Sequence, residues 1–209
     1  MAESDRGDPP IDLSAGRLEA FSDAVIAVII TILALSLHPP ATTVWPDVRH
    51  ALATLAIYVL SFMFIAIYWN NHHHLLRATT RISAGVMWAN MALLFCLSLI
   101  PVTTEWQLRS YDPRHPWPVV FFGVVALAAG LAYTVLVRMI IRANCADSVV
   151  AMAIHADRKG NISLGLYAAG VALAFVYVFL AYACYAAVSV MWLVPDRRFM
   201  HRHDVDDRA

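Results

Sequence analysis

The chain has 209 residues, of which 60% are hydrophobic and 14% charged, and its formal net charge is zero. A soluble domain of this length cannot bury so much apolar surface, so the composition indicates an integral membrane protein. Basic residues flank the apolar runs and form no patch interleaved with aromatics, so nucleic acid is not a predicted partner. The sequence has no glycine-rich phosphate-binding motif, which argues against a nucleotide-driven motor.

The first apolar run extends from Arg17 to Leu37 and follows a charged and hydroxylated turn. A secretory signal peptide has a basic end and a cleavable small-residue site. Here Glu19 and Asp23 lie at the start of the run, and His38-Pro39-Pro40 follows it. The pattern therefore predicts a membrane helix that is retained in the mature protein.

Further apolar runs extend from about Val48 to Trp69, from Ile82 to Val102 and from Trp117 to Ile141. The last run, Ile162 to Pro195, would be about 50 Å long as one helix and would exceed a hydrocarbon core of about 30 Å. We expect two helices there, with a break near Leu180-Ala181. The polar segments 70–81, 103–116 and 142–160 are predicted connectors. The fold is thus predicted to be all-α, with six transmembrane helices in one domain, 15–195.

The basic residues predict the orientation of the chain, because cytoplasmic loops carry an excess of arginine and lysine. With a cytoplasmic N-terminus and six spans, all but three of the 15 basic residues lie inside. The three outside are Arg49, Arg109 and Arg114. Both polar tails, 1–14 and 196–209, are therefore predicted to be cytoplasmic.

One face of the first helix carries a stripe of small and apolar residues with a single hydroxyl. Ala24, Val28, Thr31 and Leu35 are three or four residues apart, and Ile32 lies beside them. The stripe could be a packing face in which Thr31 bonds back to a carbonyl one turn earlier. It could also line a pore, where apolar rings from several subunits dewet and gate a conduit. Periodicity alone leaves both interpretations open.

The polar residues near the cytoplasmic ends of the first two helices predict an anchoring network. Asp23 lies near a helix N-terminus, where the macrodipole favours an anion. Arg17 is six residues away, so the two charges need partners elsewhere. The segment Tyr68 to His74 supplies them, and we expect a network of Arg17, Asp23, Trp69, Asn70 and His72. Asn90, in the third apolar run, is predicted to make an interhelical hydrogen bond.

No metal, cofactor or catalytic constellation is predicted. His72, His73 and His74 are consecutive, and consecutive helical side chains point about 100° apart, which makes a poor chelate. The sequence has no second histidine box, and Cys96, Cys145 and Cys184 lack a metal or redox spacing. No acidic residue lies deep in a span, which argues against a proton relay.

Several motifs resemble those of the transmembrane protein 175 family of potassium channels. Arg17-x-x-x-Phe21-Ser22-Asp23, with Thr31 eight residues after the Asp, resembles the hallmark of its first helix. Tyr68-Trp69-x-x-His72-His73 resembles the signature that ends its second helix, and Trp88-x-Asn90 and Pro101 resemble further family positions. The resemblance covers the length of the chain, since prokaryotic members have one six-helix repeat.

The resemblance implies a homotetramer in the bilayer, with a central pore lined by the first helix of each subunit. It implies constricting rings at Val28, Ile32 and Leu35 and a pore threonine at Thr31. It also assigns Phe21 and Ser22, with Arg17, Asp23, Trp69 and His72, to the network that holds the pore helix. The permeant species would be potassium, with no cofactor.

The predicted function is a leak-type cation channel, weakly to moderately selective for potassium, with a hydrophobic gate. The predicted location is a prokaryotic plasma membrane. The alternative is a small-solute or proton-coupled secondary transporter, which would show saturable uptake. An enzyme is not predicted.

Overall fold

The structure, a computed structural model, describes residues 13–40, 42–110, 115–144 and 158–193. These residues are helical apart from short connectors, which confirms the predicted all-α fold. The helices are α1 (Leu13–Leu35), α2 (Trp45–Arg77), α3 (Ala84–Ser98), α4 (Ile100–Arg109), α5 (Trp117–Ala143), α6 (Arg158–Ala174) and α7 (Val178–Leu193). The tail 196–209 and residues 1–12 of the other predicted tail lie outside the described residues.

Within the described part of the chain, four helical segments are long and apolar enough to cross a membrane: α1, α2, α5 and the segment Ala84–Arg109, which contains α3 and α4. α6 has 17 residues and α7 has 16, fewer than the roughly 20 that a typical span needs. These two helices occupy the region of the last two predicted spans. That both of them cross the membrane stays a prediction.

α2 extends further than the second predicted span. It has 33 residues, or about 50 Å at 1.5 Å per residue, and it continues past Trp69 to Arg77. The prediction that 70–77 is part of a connector is therefore wrong. Polar residues mark where the apolar core of a span ends, but asparagine, histidine and arginine side chains do not stop a helix.

The third span is broken near its middle and then continues. The backbone of Leu99 ends α3, and Pro101 lies in the first turn of α4. Proline lacks the N–H for a helical bond to the preceding turn but is tolerated in a first turn. The helix therefore resumes and reaches Arg109, so the prediction of a loop from Thr103 onward is wrong for residues 103–109.

α6 and α7 form a hairpin whose turn contains Phe175, Val176 and Tyr177. The predicted break at Leu180-Ala181 was therefore too late. The turn is held by backbone hydrogen bonds, from Tyr177 N to Leu173 O at 2.8 Å and from Val176 N to Leu173 O at 3.0 Å. No glycine or proline marks this position, and the buried Ala181 belongs to the packed part of α7.

Tyr185 of α7 packs between the hairpin and α5. Its ring is buried, and its hydroxyl donates to Val119 O at 3.3 Å. A Cβ atom on Gly123 of α5 or Gly170 of α6 would overlap the Tyr185 side chain. A larger residue at either position would therefore have to displace the Tyr185 ring from its place.

α1 lies against α2, α3 and α4 and buries one face. That face carries Ser22, Ile26, Ile29 and Leu33, which are three or four residues apart. The buried apolar members belong to the same hydrophobic core as Leu93 of α3. The opposite face of α1 is thereby left uncovered in the single chain.

Candidate functional site

The uncovered face of α1 carries the stripe that periodicity identified. Val28 is 56% exposed and Leu35 is 79% exposed, whereas Ile29 and Leu33 on the other face are 4% and 0% exposed. Ile32 and Thr31 are also exposed. An apolar surface of this kind on a membrane protein faces lipid, another subunit or a pore lined by several chains. Packing within one chain does not account for the stripe.

Thr31 is the polar residue of that stripe. Its hydroxyl donates to the carbonyl of Val28 at 2.7 Å, so its donor is satisfied within the helix. A hydroxyl oxygen accepts through two lone pairs, and the oxygen of Thr31 lies on the exposed face. The stripe therefore offers an acceptor to a cation or a water while leaving no donor unpaired.

A buried hydrogen-bonded chain joins α1 to α2 and α3. Asn90 Nδ2 donates to Ser22 Oγ at 2.9 Å, and Ser22 Oγ donates to Leu18 O at 2.8 Å. His72 Nε2 lies 2.6 Å from Asn90 Oδ1. Because that oxygen can only accept, the network assigns the proton of the imidazole to Nε2.

This chain of bonds fixes the register of three helices. Ser22, His72 and Asn90 are each 0% exposed, and each is hydrogen-bonded to at least one of the other two. Unpaired polar groups in a low-dielectric interior are costly, and partnered ones therefore specify one packing arrangement. His72 Nδ1 is buried and has no hydrogen-bond partner among the described residues.

A second polar cluster lies at the same end of α1 but is partly exposed. Trp69 Nε1 donates to Asp23 Oδ1 at 3.0 Å. His73 Nδ1 lies 3.1 Å from Glu19 Oε1 and 3.8 Å from Asp23 Oδ2. Arg77 Nε lies 3.4 Å from the same oxygen of Glu19. We call these five residues the α1–α2 ion cluster.

Glu19, His73 and Arg77 are not among the site residues that the sequence predicts. A usable signal was present, because Glu19 and Asp23 are four residues apart, and so are Trp69, His73 and Arg77. Residues four apart share a helix face. Had α2 been predicted to continue past Trp69, these two faces would have been candidates for mutual contact.

The other predicted anchors are placed differently. Arg17 and Asn70 are exposed, and Phe21 is half-exposed. Arg17 has no ion pair with another described residue. The structure thus brings Asp23 and Trp69 together in one cluster and places His72 in the other, whereas Arg17 and Asn70 join neither. An anchoring role for these last two stays a prediction.

The three consecutive histidines point in three directions, as the helical spacing requires. His72 is buried against Asn90, His73 faces the carboxylates of α1, and His74 is exposed. They do not converge on one point.

A third polar group was missed because it lies in the part of α4 that was predicted to be a loop. Thr104 Oγ1 donates to Ser61 Oγ at 2.8 Å, which joins α4 to α2. Tyr182 Oη donates to Gln107 Oε1 at 2.8 Å, which joins α7 to α4. Ser61, Thr104 and Gln107 are buried, so these contacts hold the other end of the bundle.

Comparison with known proteins gives a family match and two informative relatives. The family described as endosomal/lysosomal potassium channel TMEM175 matches residues 17–101. A protein named as a potassium channel in Chryseobacterium sp. (strain P1-3) is 40% identical over 186 residues, covering 89% of this chain and 96% of that protein. The chicken (Gallus gallus) protein named endosomal/lysosomal proton channel TMEM175 is 28% identical over 141 residues, covering 62% of this chain and 28% of that protein.

The fold is also similar to a solved structure. The crystal structure of a TMEM175 homologue from Chamaesiphon minutus, described as a lysosomal potassium-selective channel, aligns with a TM-score of 0.72. The alignment covers 86% of this chain and 96% of that chain, at 24% sequence identity. At that identity the likeness concerns the fold.

Proposed function

This chain belongs to the TMEM175 family, and on that premise we propose that it is a leak-type channel, weakly to moderately selective for potassium. The bacterial relative with 40% identity carries the name of a potassium channel. The chain is an integral membrane protein, and the family consists of channels and not of enzymes. We place it in a prokaryotic plasma membrane with both termini in the cytoplasm, on the distribution of its basic residues.

The observation that carries this proposal is the exposed face of α1. We propose that four copies assemble around an axis and turn this face inward, with rings of Val28, Ile32 and Leu35 forming the constriction. Narrow apolar rings exclude water and gate a conduit without a charged filter. The ring of Thr31 hydroxyls would supply acceptor oxygens between them.

The electrostatics of α1 suit a cation pathway. The C-terminal end of a helix carries a partial negative charge, and this end of α1 leads into the loop that precedes α2. Asp47 lies in the first turn of α2, where the hydroxyl of Thr42 donates to its carboxylate. We propose that this end is the outer mouth. A partly dehydrated ion must pass the apolar rings, and potassium sheds water more easily than sodium.

The two polar clusters would set the position of the pore helix. Ser22 and Asp23 hold α1 to α2 and α3 near its N-terminus. The constriction residues lie further along the same helix and make no such bonds. In this proposal Arg17 and Asn70 act between subunits, because both are exposed in the single chain.

Ion flux in liposomes tests this function. The purified protein is reconstituted with a potassium gradient, and potassium, sodium and a large organic cation are compared. We expect potassium-preferring flux that follows the electrical driving force and does not saturate. Flux that saturates or requires a proton gradient would instead support the secondary transporter, and no flux under any condition would refute both. Proton flux is measured in the same vesicles, because the chicken relative is named as a proton channel.

A further inference from the structure

We propose that Glu19, Asp23 and His73 form a binding site for a divalent transition-metal ion of the zinc class, which joins α1 to α2. One ligand atom from each residue lies within 4.8 Å of the other two. Two of the residues lie one helical turn apart on α1, and the third faces them from α2. The site is separate from the exposed stripe of α1, and metal binding there does not depend on the proposed channel function.

Two of the three separations between the candidate ligand atoms are close to those around a tetrahedral ion, and the third, between Glu19 and Asp23, is at most 4.8 Å. Zinc bonds of about 2.0–2.2 Å place neighbouring ligand atoms about 3.3–3.6 Å apart. His73 Nδ1 is 3.1 Å from Glu19 Oε1 and 3.8 Å from Asp23 Oδ2, and these two distances bracket that value. Small rotations of the carboxylates would equalise them.

The state of His73 Nδ1 is an independent observation in favour of the site. The atom is buried and, although it is close to a carboxylate oxygen, it makes no hydrogen bond to a described residue. Two atoms that form a hydrogen bond point at each other, whereas two ligands of one metal both point at the ion. A buried nitrogen that lies close to two carboxylates without a hydrogen bond to either is available as a metal ligand.

The surroundings of the cluster hold the ligands in place. Trp69 Nε1 donates to Oδ1 of Asp23 at 3.0 Å, which leaves Oδ2 for a metal. The rings of Trp69 and His73 stack with centroids 5.6 Å apart, which fixes the imidazole plane. Hydrogen-bonded and packed supports of this kind are typical around metal ligands.

The ligand types select the class of ion. An imidazole with two carboxylates suits zinc and its first-row neighbours, whereas calcium and magnesium prefer oxygen ligands throughout. Three protein ligands leave a position for water. The side chains of Glu19 and His73 retain about a fifth of their exposure, and that of Asp23 a third, so an ion has a path from solvent.

Arg77 opposes metal binding. Its Nε lies 3.4 Å from Glu19 Oε1, and its positive charge lowers the attraction of the cluster for a cation. Its side chain is 68% exposed, so it can turn away when an ion binds. The competing interpretation is that the cluster is a charge network without metal, in which protonated His73 pairs with Glu19. If the cluster is a metal site, removal of Arg77 strengthens zinc binding, whereas a charge network without metal gives no such gain.

Cobalt titration followed by zinc competition tests the site. The full-length protein, purified without a histidine tag, is titrated with Co²⁺ in detergent, and the visible absorption of tetrahedral cobalt is recorded. His201 and His203 are first replaced by glutamine to remove these additional ligands. This double variant is the parent protein, in which all further variants are made. We expect a visible cobalt band that zinc abolishes.

Three variants assign the band to the cluster. His73→Gln should weaken zinc binding by roughly tenfold or more, since losing even a residue that only supports a metal ligand costs about that much. His74→Gln, at the adjacent exposed position, is the matched control and should leave binding unchanged. Arg77→Gln should strengthen zinc binding, because it removes the opposing charge.

Stability gives a second measurement that does not rely on the spectrum. A ligand that binds the folded state raises the melting temperature, so zinc should raise it in the parent and not in Glu19→Gln. Equal zinc affinity in His73→Gln and His74→Gln, or no cobalt band in the parent, would overturn the site. Because neither readout measures ion flux, a failure here is distinct from a failure of the channel proposal.

Discussion

The two halves of α1 differ in how they are held. The N-terminal half carries Glu19, Ser22 and Asp23, all of which contact side chains of α2 or α3. The C-terminal half carries Val28, Thr31, Ile32 and Leu35 on a face that nothing in the single chain covers. One helix therefore combines a polar attachment with an apolar surface that is free for another role.

This division separates stability from conduction. Hydrogen bonds in the first half set where the helix lies, and their loss should unfold or loosen the subunit. The exposed residues of the second half contribute little to the fold of one chain, so substitutions on that face should change flux and leave the fold intact. Each variant below tests one side of that difference.

The largest effect on stability should come from Asn90→Leu. Leucine has a similar size but bonds to neither neighbour, which leaves the buried Nε2–H of His72 and the hydroxyl of Ser22 without their Asn90 partner. Unpaired buried groups cost about 1–3 kcal/mol each in soluble proteins, and interhelical bonds in membranes average less. We expect the free energy of unfolding in detergent to fall by about 2 kcal/mol.

A control on the same helix separates this loss from a general effect of mutation. Ser98→Ala removes an exposed hydroxyl that bonds back to Phe95 O, and its cost should be within about 0.5 kcal/mol. If Asn90→Leu is no more destabilising than this control, the buried chain of hydrogen bonds does not fix α1.

The largest effect on conduction should come from Val28→Asn. A polar side chain in the narrowest part of the proposed pore would hold water there, and potassium flux into liposomes should rise about tenfold, which corresponds to a barrier lower by about 1.4 kcal/mol. Val190→Asn of α7 is the matched control, since Val190 is 60% exposed and Val28 is 56% exposed. Equal flux from the two variants would show that the α1 face does not line the ion pathway.

Much of the fold was predictable because hydrophobic runs in membrane proteins have lengths set by the bilayer. The runs of α1 and α5 and the all-helical class followed from this rule. The helix ends did not, because the rule finds where apolar sequence stops and not where helical hydrogen bonding stops. Arg77 and Arg109 both end helices that extend past the apolar runs.

Features of the site that depend on spacing within one helix were predictable, whereas contacts between helices were not. The stripe of α1 depends on spacing within one helix, and the structure leaves those residues exposed together. The interhelical bond of Asn90 was also expected, because an isolated amide in an apolar run needs a partner. The partners themselves, Ser22 and His72, depend on how three helices pack, and pairing across helices is not visible from spacing within each one.

A smaller loss of stability is expected for Trp69→Phe. The ring is retained against His73, but the hydrogen bond to Asp23 is lost. Because both groups are partly exposed, water replaces the bond, and the free energy of unfolding should fall by about 1 kcal/mol. Trp106→Phe of α4 is the control, since Trp69 and Trp106 are 41% and 43% exposed. A similar loss of stability in both variants would show that the Trp69–Asp23 hydrogen bond does not anchor α1.

The smallest effect on stability should come from Thr31→Val, which isolates the second half of α1. The hydroxyl bonds to Val28 O within the helix, so the free energy of unfolding should change by less than about 0.5 kcal/mol. Potassium flux should nevertheless fall roughly threefold, because the variant extends the dry constriction and removes the ring of acceptor oxygens. Thr54→Val of α2 removes the same type of back-bond, from Thr54 to Ala51 O, and should leave flux unchanged. Both variants replace a hydroxyl that makes an intrahelical bond with a methyl group. A difference in flux without a difference in stability would therefore place Thr31 in the ion pathway. Equal flux from the two variants would contradict that role.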